Sequence, residues 1–114
     1  IERCVPGNRL HDISAAVQTT VEALGFSVVR QYTGHGVGRN LHEDPLVPNV
    51  GEPHTGALLR PGMTVALEPM INIGGWAVKE QPNGWTVVTR DGSLSAHFEH
   101  TVAITEGEAD ILTV

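Results

Sequence analysis

The sequence predicts an α+β architecture: one long amphipathic helix, then an antiparallel sheet. Two observations carry that prediction. Apolar residues at three- and four-residue steps run through residues 10–24, the spacing of a helix with one buried stripe. Beyond residue 62, short strand-like runs alternate with Gly74-Gly75, Asn83-Gly84 and Asp91-Gly92, pairs of the kind that close tight hairpins. At 114 residues the chain fits a single domain with a modest core.

Taken in order, Ile1-Glu2-Arg3-Cys4-Val5 followed by Pro6-Gly7 reads as the tail of an earlier helix that has just stopped. The chain is therefore expected to be a fragment of a longer protein. The helix stripe is Leu10, Ile13, Ala16, Val17, Val21 and Leu24. Asn8 is expected to cap its start and Gly25 to take the left-handed position after its end. His11 and Asp12 fall on the first turn and are expected to be exposed. Residues 26–32, rich in β-branched and aromatic types, read as a strand. Residues 46–61 hold Pro48, Pro53, Pro61, Gly51 and Gly56, which reads as a long surface connection with a solvated His54. Residues 63–67, 70–73, 85–89, 98–105 and 109–114 supply the strands of the second half.

Between the two halves lies Tyr32-Thr33-Gly34-His35-Gly36-Val37-Gly38-Arg39-Asn40-Leu41-His42-Glu43-Asp44-Pro45. Glycines on both sides of His35 remove side chains where something must come close to the backbone. The stretch reads as a strand end running into an irregular loop that presents His35 and His42 to one cavity. The alternative is a flexible loop with two solvated histidines. Two carboxylates bear on that choice. Glu68 precedes Pro69, which pushes it to extended geometry at an interruption of a strand. Strand alternation puts His97, Glu99 and Thr101 on one face. A carboxylate amid strand residues needs a partner, because burying an unpaired charge is costly. A salt bridge to a lysine or arginine is one answer and a metal ion is another. His35, Glu68 and Glu99 together make a mixed nitrogen and oxygen set suited to a divalent transition metal.

Composition narrows the field. Hydrophobic residues make up 40 % of the chain and the formal net charge is −6. The chain is therefore expected to be globular, and binding to nucleic acid or an anionic membrane surface is disfavoured. One cysteine, Cys4, cannot form an internal disulfide. It reads as a small buried apolar group, consistent with a reducing, cytoplasmic compartment. No apolar run is long enough to span a membrane, and no signal-peptide pattern opens the chain.

Four ordered motifs carry a resemblance. "PGNRLHDISAAVQTTVEALGF", "GHGVGRNLHEDP", "LRPGMTVALEPM" and "NGWTVVTRDGSLSAHFEHTVAIT" are similar to the C-terminal half of the type I methionine aminopeptidases, in the M24 metallopeptidase family, over essentially the whole chain. The resemblance implies the pita-bread fold, two similar α+β halves around a dinuclear metal site, with residues 1–114 forming the second half. It implies removal of the N-terminal methionine from nascent polypeptides by hydrolysis of the first peptide bond. It also implies two divalent metal ions per complete site, drawn from Co, Mn, Fe and Zn.

Motif by motif, the resemblance makes His35, Glu68 and Glu99 metal ligands, with Glu68 also able to move a proton. It makes His42 the residue that contacts and polarises the scissile amide. Trp85 falls at the mouth of the methionine pocket, and Thr33 borders it. Relatives of the same fold that cleave next to proline tend to have glycine after the Glu-Pro pair and an acidic residue after the last glutamate. Met70 and His100 favour the methionine enzyme instead. The short run between Glu68 and Glu99 leaves no room for the helical insertion of type II enzymes. Two aspartate ligands and a further substrate-contacting histidine belong to the N-terminal half, which is absent from this chain and is its expected partner. Asp12, Asp44, Asp91 and Asp110 do not stand in their motif context. Asp44 stands where many relatives have a second glutamate. The alternative reading is a non-catalytic pita-bread module that binds polypeptide.

Overall fold

A computed structural model describes all 114 residues. One helix, α1 (Leu10–Ala23), and ten short strands in three antiparallel sheets make up the chain. The strands are β1 (Ser27–Val28), β2 (Gly34–Gly36), β3 (Glu43–Val47), β4 (Thr64–Leu67), β5 (Met70–Asn72), β6 (Val78–Glu80), β7 (Val87–Thr89), β8 (Ser95–His97), β9 (His100–Ala103) and β10 (Asp110–Ile111). The helix is packed against β1 and β3. The five-stranded sheet has the order β10-β9-β4-β2-β3, the three-stranded sheet β1-β5-β8, and β6 pairs with β7 as a hairpin.

The N-cap falls one residue later than expected. Arg9 is the N-cap, and its backbone N–H donates to the Asp12 carboxylate at 2.7 Å; Asn8 instead donates its side-chain amide to the Arg3 carbonyl. Backbone hydrogen bonds from Arg9 and His54 hold the Asp12 carboxyl below its ordinary value. At the other end, Gly25 takes φ +82°. Its N–H bonds to the Glu22 carbonyl and that of Phe26 to the Val21 carbonyl, the paired closure that a left-handed glycine permits. Residues 1–9 are turns and bends rather than the end of a helix.

The core lies between α1 and one face of the five-stranded sheet. Leu10 and Ile13 of the helix meet Val47, Val65, Leu67 and Val102 of the strands and Ile104 just past β9, with Cys4 and Leu59 closing the edge. Burial pushes the Cys4 thiol up. Leu24 ends the apolar stripe but is 68 % exposed, because the chain turns away at Gly25 before it reaches the sheet.

Two expected segments come out differently. The strand expected over residues 26–32 is only Ser27–Val28, and Phe26 and Tyr32 are exposed. The expected surface connection over residues 46–61 is not all surface. Leu46 and Val47 belong to β3, which pairs with β2, and Asn49 and Leu59 are buried. Its remainder is tied to the helix, since His11 Nδ1 lies 2.8 Å from Thr55 Oγ1 and Gln18 accepts from the Gly51 N–H. His11 and Asp12 are consequently half-buried. His54 is exposed as expected, with its ring 3.4 Å from Asp12.

Candidate metal centre

His35 stands in β2, not in the loop after a strand, and the loop proper spans residues 37–42. Its flanking glycines have a packing reason. A Cβ on Gly34 would sit 3.2 Å from the Val47 Cβ and 3.2 Å from the Ala66 carbonyl carbon. Gly36 would meet the Asp44 backbone in the same way. Only glycine lets β3 and β4 close on both sides of the histidine.

The sheet register then brings the two glutamates opposite one another. In the β4–β9 ladder, Ala66 faces Thr101 and Leu67 faces His100. In the β5–β8 ladder, Met70 faces His97 and Ile71 faces Ala96. These are one register, interrupted between them, and the Phe98 N–H still bonds to the Pro69 carbonyl at 3.3 Å. Continuing it through the break sets Glu68 against Glu99. Proline has no N–H to donate, so Pro69 helps keep the ladder open there. Ala66 also faces His35 across the β2–β4 pair. Alternation puts Ala66, Glu68, Thr101 and Glu99 on the face opposite the core, which is the face His35 occupies.

One donor atom from each of His35, Glu68 and Glu99 lies within 4.8 Å of the other two. Ligand atoms about 2.0–2.2 Å from one ion are at most about 4.4 Å apart, so a few tenths of an ångström of side-chain movement closes the set. His35 Nδ1 is 2.8 Å from the Gly36 carbonyl. A carbonyl can only accept, so Nδ1 carries the hydrogen and Nε2 is aimed at Glu68 Oε1, 3.2 Å away. In the neutral ring this sets two lone pairs against each other, an arrangement that a cation between them relieves. The ion pairs of the chain involve only histidines, so the lysine or arginine salt bridge is not what holds either glutamate. The donor set fits a divalent transition metal.

Glu68 is further fixed by residues that sequence patterning did not single out. His97 Nε2 lies 3.3 Å from Glu68 Oε2, and the Asn49 side-chain amide donates to the Glu68 backbone carbonyl at 3.3 Å. Strand alternation had placed His97 on the Glu99 face, which could have drawn attention to it. Asn49, in an irregular connection, left no such signal.

His42 is exposed, and its ring centroid is 4.1 Å from that of His35. Both line a cleft of about 990 Å³ that also reaches Thr33, Glu68 and His97. Trp85 is 87 % exposed and lines a neighbouring, more apolar cleft of about 1200 Å³. Tyr32, Met70 and His97 border both clefts, so the two spaces meet beside Glu68. The structure thus brings His35, Glu68 and Glu99 together, puts His35, Glu68, His42 and Thr33 on one cleft and sets Trp85 one cleft away. Glu99, exposed, also borders a third cleft beside Leu67, Pro69 and Phe98.

A glycine-flanked histidine and two glutamates that oppose one another across a break in the ladder make a donor set that fits a divalent metal ion. The model of metallopeptidase family M24 matches residues 1–106, and the chain belongs to that family. It is 54 % identical over 114 residues to a methionine aminopeptidase of Clostridium acetobutylicum, covering all of this chain and 46 % of that protein. It is 57 % identical over 113 residues to methionine aminopeptidase 1 of Bacillus subtilis, again covering 46 % of it. The crystal structure of a methionine aminopeptidase from Thermotoga maritima superposes with a TM-score of 0.97 at 58 % identity, over 99 % of this chain and 45 % of that one. The chain spans about half the length of the relatives it matches. No helix is long and apolar enough to cross a membrane.

Proposed function

We propose that the chain is the C-terminal half of a type I methionine aminopeptidase, which releases the N-terminal methionine of nascent polypeptides in the cytoplasm. The observation that carries this reading is the convergence of His35, Glu68 and Glu99 within 4.8 Å, in a chain whose relatives are named for that activity. In this reading those three residues are metal ligands, and the preceding half of the enzyme contributes the two remaining aspartates. Two divalent ions, of Mn, Fe, Co or Zn, would supply water activation and polarisation of the scissile carbonyl. Glu68 takes the proton of the attacking water and returns it to the leaving amine. The His42 ring donates to the scissile amide oxygen. Trp85 and Thr33 border the pocket for the methionine side chain, in keeping with the apolar cleft at Trp85.

The exposed apolar surface supports a missing half. Leu94, Phe98 and Ile73 are 74 %, 70 % and 56 % exposed, and large exposed apolar patches mark interaction surfaces. Ile73 bonds to the Leu94 carbonyl through its backbone, so the two side chains are neighbours on the ribbon. The test is methionine release from a short Met-Ala peptide with added Mn or Co, by the chain alone and after mixing with the preceding half. Activity should require both parts. Full activity of the isolated chain, or none from the mixture or the intact protein, would overturn the proposal.

A further inference from the structure

The loop that carries His42 is held from inside by a carboxylate that the metal set does not use. Glu43 is half-buried and has no lysine or arginine partner. A desolvated carboxylate is costly unless donors satisfy it. Its Oε1 accepts the Asn40 backbone N–H at 3.0 Å. The Gly38 N–H in turn donates to the Asn40 carbonyl at 3.1 Å, so residues 38–40 are folded around the carboxylate. Gly38 is what gives the carboxylate its seat. A Cβ built there would lie 2.7 Å from the Glu43 carboxylate carbon and 2.9 Å from Oε1. The loop is pinned at its base by the Gly36–Glu43 strand pair and by the Val37 N–H to the Thr64 carbonyl at 2.9 Å. His42 itself makes no hydrogen bond to the chain; it rests only on its backbone and on the His35 ring 4.1 Å away. What fixes its imidazole is therefore the shape of the loop.

The geometry points to Glu43 as a positioning residue for His42, acting through Asn40 and seated against Gly38. This rests on the proposed place of His42 at the scissile amide. Misplacing a reacting group by about 1 Å can cost about 100-fold in rate, and a loop that loses its internal clamp has that much freedom. Asn40 needs an acceptor oxygen and the Gly38 seat a planar group of the same size, neither of them a charge, so glutamine is a fair substitute.

The experiment uses the complete, metal-loaded enzyme and four variants: Glu43→Ala, Glu43→Gln, Gly38→Ala and Gly38→Ala with Glu43→Ala. Turnover of a Met-Ala peptide, bound metal and hydrogen exchange of the Asn40 amide are measured on each. Glu43→Ala and Gly38→Ala should each lower kcat by about 10- to 100-fold, with KM and bound metal unchanged and Asn40 exchange faster. Glu43→Gln should stay within about threefold of wild type. The double variant should be no worse than either single one, because a methyl at Gly38 acts by evicting a carboxylate that is already gone. Multiplying losses in the double variant, metal lost with Glu43→Ala, or a glutamine variant as slow as the alanine one would each overturn the inference. If the wild type releases no methionine, the functional reading fails instead. Asn40 exchange then decides the clamp by itself, and an unchanged rate in Glu43→Ala refutes it.

Discussion

On the proposed function, replacing His42 by alanine separates the chemistry at the cleft from metal binding. His42 is exposed and makes no hydrogen bond to the chain, so its loss should change folding stability by no more than about 0.5 kcal/mol. It lies outside the three donors that come within 4.8 Å of one another, so bound metal should stay close to wild type. The barrier should rise more. Removing one donor to a developing oxyanion costs about 2.7–4 kcal/mol. At about 1.36 kcal/mol per tenfold, that is roughly a 100- to 1000-fold fall in kcat. The assay is bound metal by elemental analysis beside methionine release from a short peptide, with His35→Ala as the variant that should lose the metal. Loss of metal in His42→Ala in parallel with activity would make His42 a ligand. A fall in kcat of less than about threefold would remove it from the reaction.

Three further outcomes follow from the packing. Gly34→Ala should destabilise the complete protein by about 1–3 kcal/mol, because the added methyl meets Val47 and the Ala66 backbone on both sides; an unchanged urea midpoint would refute this. Leu59, 1 % exposed, lies in the core cluster, and Leu59→Ala should cost about 2–5 kcal/mol by denaturant titration. Asp91 is held down to about 2 by the Ser93 hydroxyl and the Gly75 and Ser93 backbone N–H groups. A depressed carboxyl contributes stability above its unfolded value near 3.8 and loses it as pH falls toward about 2. The stability gap between wild type and Asp91→Asn should therefore shrink as pH drops from 5 to 2, and a constant gap would refute that role.

What the sequence disclosed depended on the range of the interaction. The α1 stripe and the Gly25 stop are local, and both appear where the periodicity put them. The second half was visible only in part. Gly84 and Gly92 do take φ +70° and +78°, but of the three expected hairpin turns only Asn83-Gly84 joins paired strands, and β6 and β8 were not among the expected strands. The cap was misplaced because Asp12 reaches back to the Arg9 N–H and leaves Asn8 with nothing to cap. Residues 46–61 read as surface because prolines dominate them, yet β2 pairs Leu46 and Val47 into the sheet. The chemistry-bearing residues His35, Glu68 and Glu99 were legible from residue type and motif context. Their mutual distance was not, since it is set by pairing between strands far apart in sequence. Glu43 and Asn49 were invisible for the same reason: each matters through a backbone group that no side-chain pattern announces.

Register, more than any single side chain, makes the site. Along the ribbon formed by β4–β5 and β8–β9, one face carries Ala66, Glu68 and Met70 opposite Thr101, Glu99 and His97. The other face carries Leu67, Pro69 and Ile71 opposite His100, Phe98 and Ala96, and it continues to Ile73 beside Leu94. Side chains alternate with period two, so a slip of one residue on either strand would send a glutamate to the other face and bring Leu67, Pro69, Phe98 or His100 into the donor cluster. Two features oppose such a slip. Val65, Leu67, Val102 and Ile104 are locked into the core beneath the five-stranded sheet, and the Asp91 carboxylate ties the Gly75 N–H to the turn that leads into β8. The core fixes one end of the ribbon and the Asp91 turn the other. Glu68 and Glu99 meet in the middle, where Pro69 interrupts the ladder and leaves the space that a metal would fill.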